Sequence, residues 1–108
     1  MSLPIINNLE KLLAKGQDNA LLRFGLGNAY LQAKDFAKAR EHLQEAVAQD
    51  PEYTAAWKLY GKVLTNLNMP EKAIVAYEQG ITVAENKGDK QAAKEMSVFL
   101  KRLQKPKS

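Results

Sequence analysis

Apolar residues recur every three to four positions along most of the 108-residue chain, with polar residues filling the intervals. That period gives one apolar stripe per helix, because an α-helix completes a turn in about 3.6 residues. Six helices follow from the stripes and the breaks between them. The first covers about 3–15, with Ile5, Ile6, Leu9, Leu12 and Leu13 on one side and Gly16 ending it. The second, about 19–33, turns Leu22, Leu26, Ala29 and Tyr30 inward, and Asp18 or Asn19 can cap it. The third, about 36–49, carries Ala39, Leu43, Ala46 and Val47 behind Asp35, whose carboxylate can accept from the free N–H groups of a first turn. Asp50-Pro51 then interrupts the chain, since proline is poorly tolerated inside a helix and suits a first turn. The fourth helix, about 52–67, has Trp57, Tyr60, Val63, Leu64 and Leu67. Pro70 suits the first position of a fifth, about 70–86, which presents Ala73, Ile74, Tyr77, Ile81 and Ala84. Lys87-Gly88-Asp89 is a turn followed by a cap, ahead of a sixth helix at about 89–104 with Ala92, Met96, Phe99, Leu100 and Leu103. No strand pattern of period two survives, and the short connections predict antiparallel hairpins.

The chain also matches itself at a shift of 34 residues. Gly27 falls on Gly61, Ala39 on Ala73, Leu43 on Tyr77 and Ala46 on Gly80, while Leu26 and Tyr30 meet Tyr60 and Leu64. Small residues land on small and bulky on bulky, so the recurrence concerns packing. A fixed period of roughly 20–50 residues marks stacked units, none of which buries its apolar face alone. Gly27, Gly61 and Gly80 stand inside helices, where each costs about 1 kcal/mol against alanine. Such a cost, repeated at one spacing, predicts close approach between helices.

These residues resemble the tetratricopeptide repeat family. Residues of about 20–53 read Leu26-Gly27-x-x-Tyr30, Ala39-x-x-x-Leu43-x-x-Ala46 and Asp50-Pro51. Those of about 54–87 read Trp57-x-x-Tyr60-Gly61-x-x-Leu64 and Ala73-x-x-x-Tyr77-x-x-Gly80. Trp57 matches the family's opening aromatic where Arg23 departs from it, and Glu85 replaces the closing proline that Pro51 supplies in the first copy. The resemblance implies an all-α fold of antiparallel helix-turn-helix repeats, stacked as a short right-handed superhelix in one domain over 1–108. Residues 1–18 would be an N-terminal helix from a degenerate half-repeat, 88–104 a capping helix and 105–108 a basic tail. Two repeats with a helix at each end meet the roughly three units that such stacks need, so the chain is expected to be complete in itself.

The resemblance further implies a non-catalytic protein–protein interaction module, an adaptor or scaffold holding a partner peptide or helix in a concave groove lined by the first helix of each repeat. Carried onto this sequence, the groove takes Leu21, Phe24, Asn28, Leu31 and Gln32 from the first repeat and Ala55, Lys58, Lys62, Thr65 and Asn66 from the second. Lys58 and Lys62 share a face, and Lys90 and Lys94 repeat their spacing on the capping helix, where they are expected beside them. An apolar end near Phe24 and Leu31 and a basic end would favour a partner with an apolar anchor followed by an acidic segment. Lysines that only solvate their helices fit the same residues. Relatives that clamp the carboxylate tail of chaperones need a lysine where Phe24 stands and an asparagine where Leu59 stands; Asn28 does match.

Composition narrows the remaining chemistry. Cysteine is absent, which removes disulfides and thiolate metal sites. His42 is the single histidine, expected partly exposed on the outer face of a second helix and lacking further ligands, so neither metal nor cofactor is expected. The pairs Glu41/Glu45 and Asp50/Glu52 suit solvated or capping roles. Gly25-x-Gly27 lies on a helix, not on the loop that a phosphate cradle needs. No enzyme is implied. The net charge of +4 comes from residues 97–108, where Lys101, Arg102, Lys105 and Lys107 meet no acid; the other 96 residues hold twelve bases and twelve acids. A nucleic-acid domain usually spreads its excess over one face, so that class is disfavoured. The tail remains an alternative route to nucleic acid or anionic lipid, as does homo-oligomerisation through an apolar end face at the first helix. No apolar run approaches the roughly 20 residues that span a bilayer, and Met1-Ser2-Leu3-Pro4 lacks the regions of a secretion signal. A cytoplasmic location is the resulting expectation.

Overall fold

The computed structural model describes residues 3–105. Met1 and Ser2 at the start, and Pro106, Lys107 and Ser108 of the expected basic tail, lie outside the described residues. Six helices follow one another: α1 (Leu3–Ala14), α2 (Ala20–Gln32), α3 (Phe36–Gln49), α4 (Thr54–Asn66), α5 (Pro70–Asn86) and α6 (Lys90–Gln104), with no strand among the described residues. Local chemistry accounts for their ends. Asn19, Asp35 and Asp89 each accept from a backbone N–H three residues on, at 2.8, 3.2 and 3.1 Å, which satisfies donors that a helix start leaves orphaned. Pro70 opens α5, where its missing N–H costs nothing.

The far ends use one device four times. Gly16, Lys34, Asn68 and Gly88 take positive φ of 90°, 62°, 58° and 74°. The next N–H then reaches back to a carbonyl five residues earlier: Gln17 to Leu12, Asp35 to Tyr30, Met69 to Leu64 and Asp89 to Ala84, at 2.8–3.1 Å. This is the left-handed cap that closes a helix and reverses the chain. Lys34 and Asn68 occupy equivalent places 34 residues apart, so the repeat extends to backbone conformation.

Close helix contact at the small residues is borne out. A Cβ built on Gly27 would meet Leu43 Cγ, with Cδ2 2.7 Å away. One on Gly61 would lie 2.6–2.8 Å from three ring carbons of Tyr77, and one on Gly80 would lie 2.5 Å from Met96 Sδ and 2.9 Å from Trp57 Cβ. The notches therefore receive a bulky residue from α3, α5 or α6, and fully buried Ala39 and Ala73 fill the facing helices. Apolar clusters succeed one another along the stack, from Ile6, Leu26 and Leu43 through Leu64 and Ala73 to Tyr77 and Met96. The body measures 46 × 32 × 20 Å, as expected when each unit buries its face against the next.

One expectation fails here. His42 is not partly exposed on an outer face; it is 5% exposed. Its ring stacks on Tyr30 at 5.5 Å and 2°. Arg23 reaches its Nδ1 at 3.2 Å while gripping Asp18 with two 2.8 Å bonds. Glu10, from α1, accepts from the Tyr30 hydroxyl at 2.5 Å and lies 3.7 Å from His42 Nε2. Helices α1 and α2 thus cover the histidine, and burial lowers its pKa, the Glu10 carboxylate pulling the other way. The same network docks α1.

Candidate functional site

Helices α4 and α6 stand side by side, and three adjoining depressions run between them. The first, about 370 Å³, lies by Ala55, Lys58, Gln91 and Glu95. The second, also about 370 Å³, is walled by Lys58, Leu59, Lys62, Glu95, Val98 and Phe99. The third, about 260 Å³, is enclosed by Lys62, Thr65, Asn66, Tyr77, Phe99, Arg102 and Leu103. Shared lining by Lys58 and Glu95, then by Lys62 and Phe99, makes them one groove. Helical spacing explains the membership. On α4, Ala56, Val63 and Leu64 are buried, leaving 58, 62, 65 and 66 on the open side. On α6, Ala93 and Met96 are buried, which turns 91, 95, 98 and 102 toward α4.

The groove is electrically uneven. Lys58 Nζ lies 2.9 Å from Glu95 Oε1, bridging the two helices, with side chains 38% and 43% exposed. That hydrogen bond holds the Glu95 carboxyl below the usual carboxylate range. Beyond the bridge the walls turn apolar. Phe99 tilts against Tyr77 with ring centroids 5.6 Å apart, and Val98 is exposed beside it. Burial raises the Tyr77 hydroxyl pKa, and the ring borders the third depression. Arg102 sits 5.8 Å from the Phe99 ring centroid, and Lys62 is exposed on the facing helix. Neither cation forms an ion pair among the described residues. The arrangement is an apolar slot with two available cations on its rim.

The residues expected to line the groove divide. Lys58, Lys62 and Asn66 gather there, with Ala55 and Thr65. Asn28 and Gln32 are exposed on α2, and Leu21 is 72% exposed there. Phe24 is half-buried against Tyr53, ring centroids 4.9 Å apart. Leu31 is 7% exposed within the cluster that contains Val63, so it offers a guest little apolar surface. Lys90 and Lys94 do not stand beside Lys58 and Lys62; with Glu85, Gly88, Ala93 and Ser97 they line a separate depression of about 430 Å³. The reason is rotation: neighbouring residues on a helix point about 100° apart, so Glu95 enters the groove and Lys94 leaves it. Glu95, Val98, Phe99 and Arg102 were missed for the same reason. The signal that would have found them is the apolar run Ala93, Met96, Leu100 and Leu103, which fixes the buried side.

Among the described residues no helix is long and apolar enough to cross a membrane, and no group of three or more acids and histidines is placed to hold a metal ion. The sequence profile described as tetratricopeptide repeat matches residues 30–96. A TPR repeat-containing protein of Pseudomonas aeruginosa is 54% identical over 104 residues, covering 96% of this chain and 99% of its own. The solution structure of a Bordetella parapertussis protein is 44% identical with a TM-score of 0.79, covering 92% of this chain and 86% of that one. The first TPR of Spaghetti, bound to an HSP90 peptide, superposes with a TM-score of 0.61 over 92% of each chain, and at 23% identity it shares the fold alone. With its recurring notches, caps and hairpins, the chain belongs to the tetratricopeptide repeat family of protein-interaction modules.

Proposed function

We propose that this protein is a non-catalytic adaptor that holds a partner peptide in the groove between α4 and α6, taking an apolar anchor in the slot and an acidic residue at its rim. The slot is what carries the reading: Val98, Phe99 and Leu103 supply apolar surface, while Lys62 and Arg102 stand beside it without ion-pair partners among the described residues. An apolar side chain leaving water for such a slot supplies affinity, and the two cations add orientation and encounter rate more than raw affinity. The apolar end thus falls on the capping helix and not at Phe24 and Leu31. Lys58 is already engaged by Glu95, so a guest carboxylate must compete with Glu95 for it.

Panning displayed random heptapeptides on the immobilised protein tests this. The expected enrichment is for leucine, phenylalanine or isoleucine next to aspartate or glutamate, with capture lost in Phe99→Asp and weakened about fivefold in Lys62→Glu/Arg102→Glu, the scale of an exposed ion pair. Equal capture by the wild type and Phe99→Asp would refute the assignment of the groove.

A further inference from the structure

On the other side of α6 the two last helices carry oppositely charged rows. Glu71, Val75, Glu78, Thr82 and Glu85 fall at intervals of four, three, four and three residues along α5, and all are exposed. That spacing is a single outward stripe. Lys90, Lys94, Ser97 and Lys101 follow the same intervals along α6, and Lys105 stands just past its end. The rows flank the depression lined by Glu85, Lys90, Lys94 and Ser97. None of these glutamates or lysines forms an ion pair among the described residues. Val75, 56% exposed, is an apolar residue in the middle of the acidic row.

We infer that the chain pairs with a second copy of itself through this α5–α6 face, each acidic row lying over the other copy's lysine row. Two parallel rows of opposite sign are self-complementary about one two-fold axis only, the axis lying along the helices between the rows. A two-fold axis across the helices would set acid against acid. The register agrees with the attractive choice. The hairpin turn at 87–89 puts Glu85 level with Lys90. At about 1.5 Å of rise per residue, Glu78 then comes about 4–5 Å along the axis from Lys94, and Glu71 about the same from Lys101, within reach of flexible lysine side chains. Val75 meets the aliphatic stem of Lys101 in the second copy. The contact covers two helices over about 20 Å, smaller than a standard stable interface, so the pair is transient and salt-sensitive. It leaves both α4–α6 grooves open, and it does not depend on what those grooves hold.

Sedimentation of the full chain across a concentration series, at about 20 mM and about 500 mM salt, tests the pairing, because the screening length shrinks severalfold between them. The expected result is a mass above that of the monomer at low salt only. Glu71→Lys/Glu78→Lys/Glu85→Lys and Lys90→Glu/Lys94→Glu/Lys101→Glu should each weaken self-association at least about tenfold. Mixing the two variants, or combining all six changes in one chain, should restore it to within about threefold. Circular dichroism checks that each variant stays helical; should a triple variant unfold, Glu78→Lys, Lys94→Glu and their double variant give the same comparison. A wild type that is monomeric at low salt overturns the inference, including the case in which the face captures some other acidic protein. So does either reversed variant associating as well as the wild type, or a charge swap that fails to restore association.

Discussion

Two glycines in one turn of α2 should respond to alanine with opposite signs. Gly25 and Gly27 have helical neighbours on both sides, so replacing either removes the same backbone entropy penalty, about 1 kcal/mol. Their surroundings differ. A Cβ at Gly25 would lie 3.6 Å from Leu9 Cδ1, an ordinary van der Waals separation. A Cβ at Gly27 would collide with Leu43, whose Cδ2 is 2.7 Å away and whose side chain has no exposed surface through which to retreat. Carbon pairs settle at about 3.5–4.0 Å, so Leu43 must recede by about 1 Å into neighbours that are themselves buried. Overpacking of this kind costs about 1–3 kcal/mol, and the closed site puts it at the upper end. Gly25→Ala should therefore stabilise by about 1 kcal/mol, while Gly27→Ala should destabilise by about 2 kcal/mol. The gap of about 3 kcal/mol corresponds to roughly 12 °C in Tm for a chain of this size. Urea and thermal melts followed by far-ultraviolet circular dichroism measure both. A Gly27→Ala protein as stable as the parent would show that α2 and α3 do not nest through this notch, and the packing account would fail with it.

Three further perturbations probe the polar contacts. Removing the Glu10 carboxylate by Glu10→Ala strands the Tyr30 hydroxyl, whose pKa is pushed up to about 12 chiefly by that hydrogen bond; the expected loss is about 1–3 kcal/mol, with new proteolytic cleavage within α1, and an unchanged urea midpoint would refute the docking role. His42 has its pKa lowered by burial, so the unfolded chain takes up the proton first as pH falls; stability should be level above pH 7 and decline below about 6.5. Denaturation midpoints between pH 8 and 5 check this, and a His42→Phe variant with the same slope would assign the pH dependence elsewhere. The Lys58–Glu95 bridge is well exposed, so Glu95→Gln should leave the urea midpoint nearly unchanged while freeing Lys58 and strengthening capture of acid-bearing peptides; weaker capture would refute the argument that Glu95 competes with the guest.

Much of this architecture is legible in the chain because its causes are local. Asn19, Asp35 and Asp89 cap helices through bonds to residues three positions on. Gly27 and Gly61 mark notches because a glycine inside a helix is costly unless another residue needs the space, and Leu43 and Tyr77, also 34 residues apart, fill it. The groove was only partly legible. Lys58, Lys62 and Asn66 follow from the pattern of α4, whereas the α6 wall depends on how that helix is turned about its axis.

The 34-residue recurrence, the capping side chains and the apolar stripes by themselves determined six helices, their hairpin order and the notches where they nest. Each is a matter of bonds within a turn or of steric size at one position. Only the tertiary structure decided that Glu95 and Phe99 face α4 while Lys90 and Lys94 join an outer face, because one residue of phase rotates a side chain by about 100°. It alone decided that His42 is enclosed, since its cover comes from Glu10, Arg23 and Tyr30 on other helices. Burial of a polar group is a property of what packs over it, and no single helix contains that information.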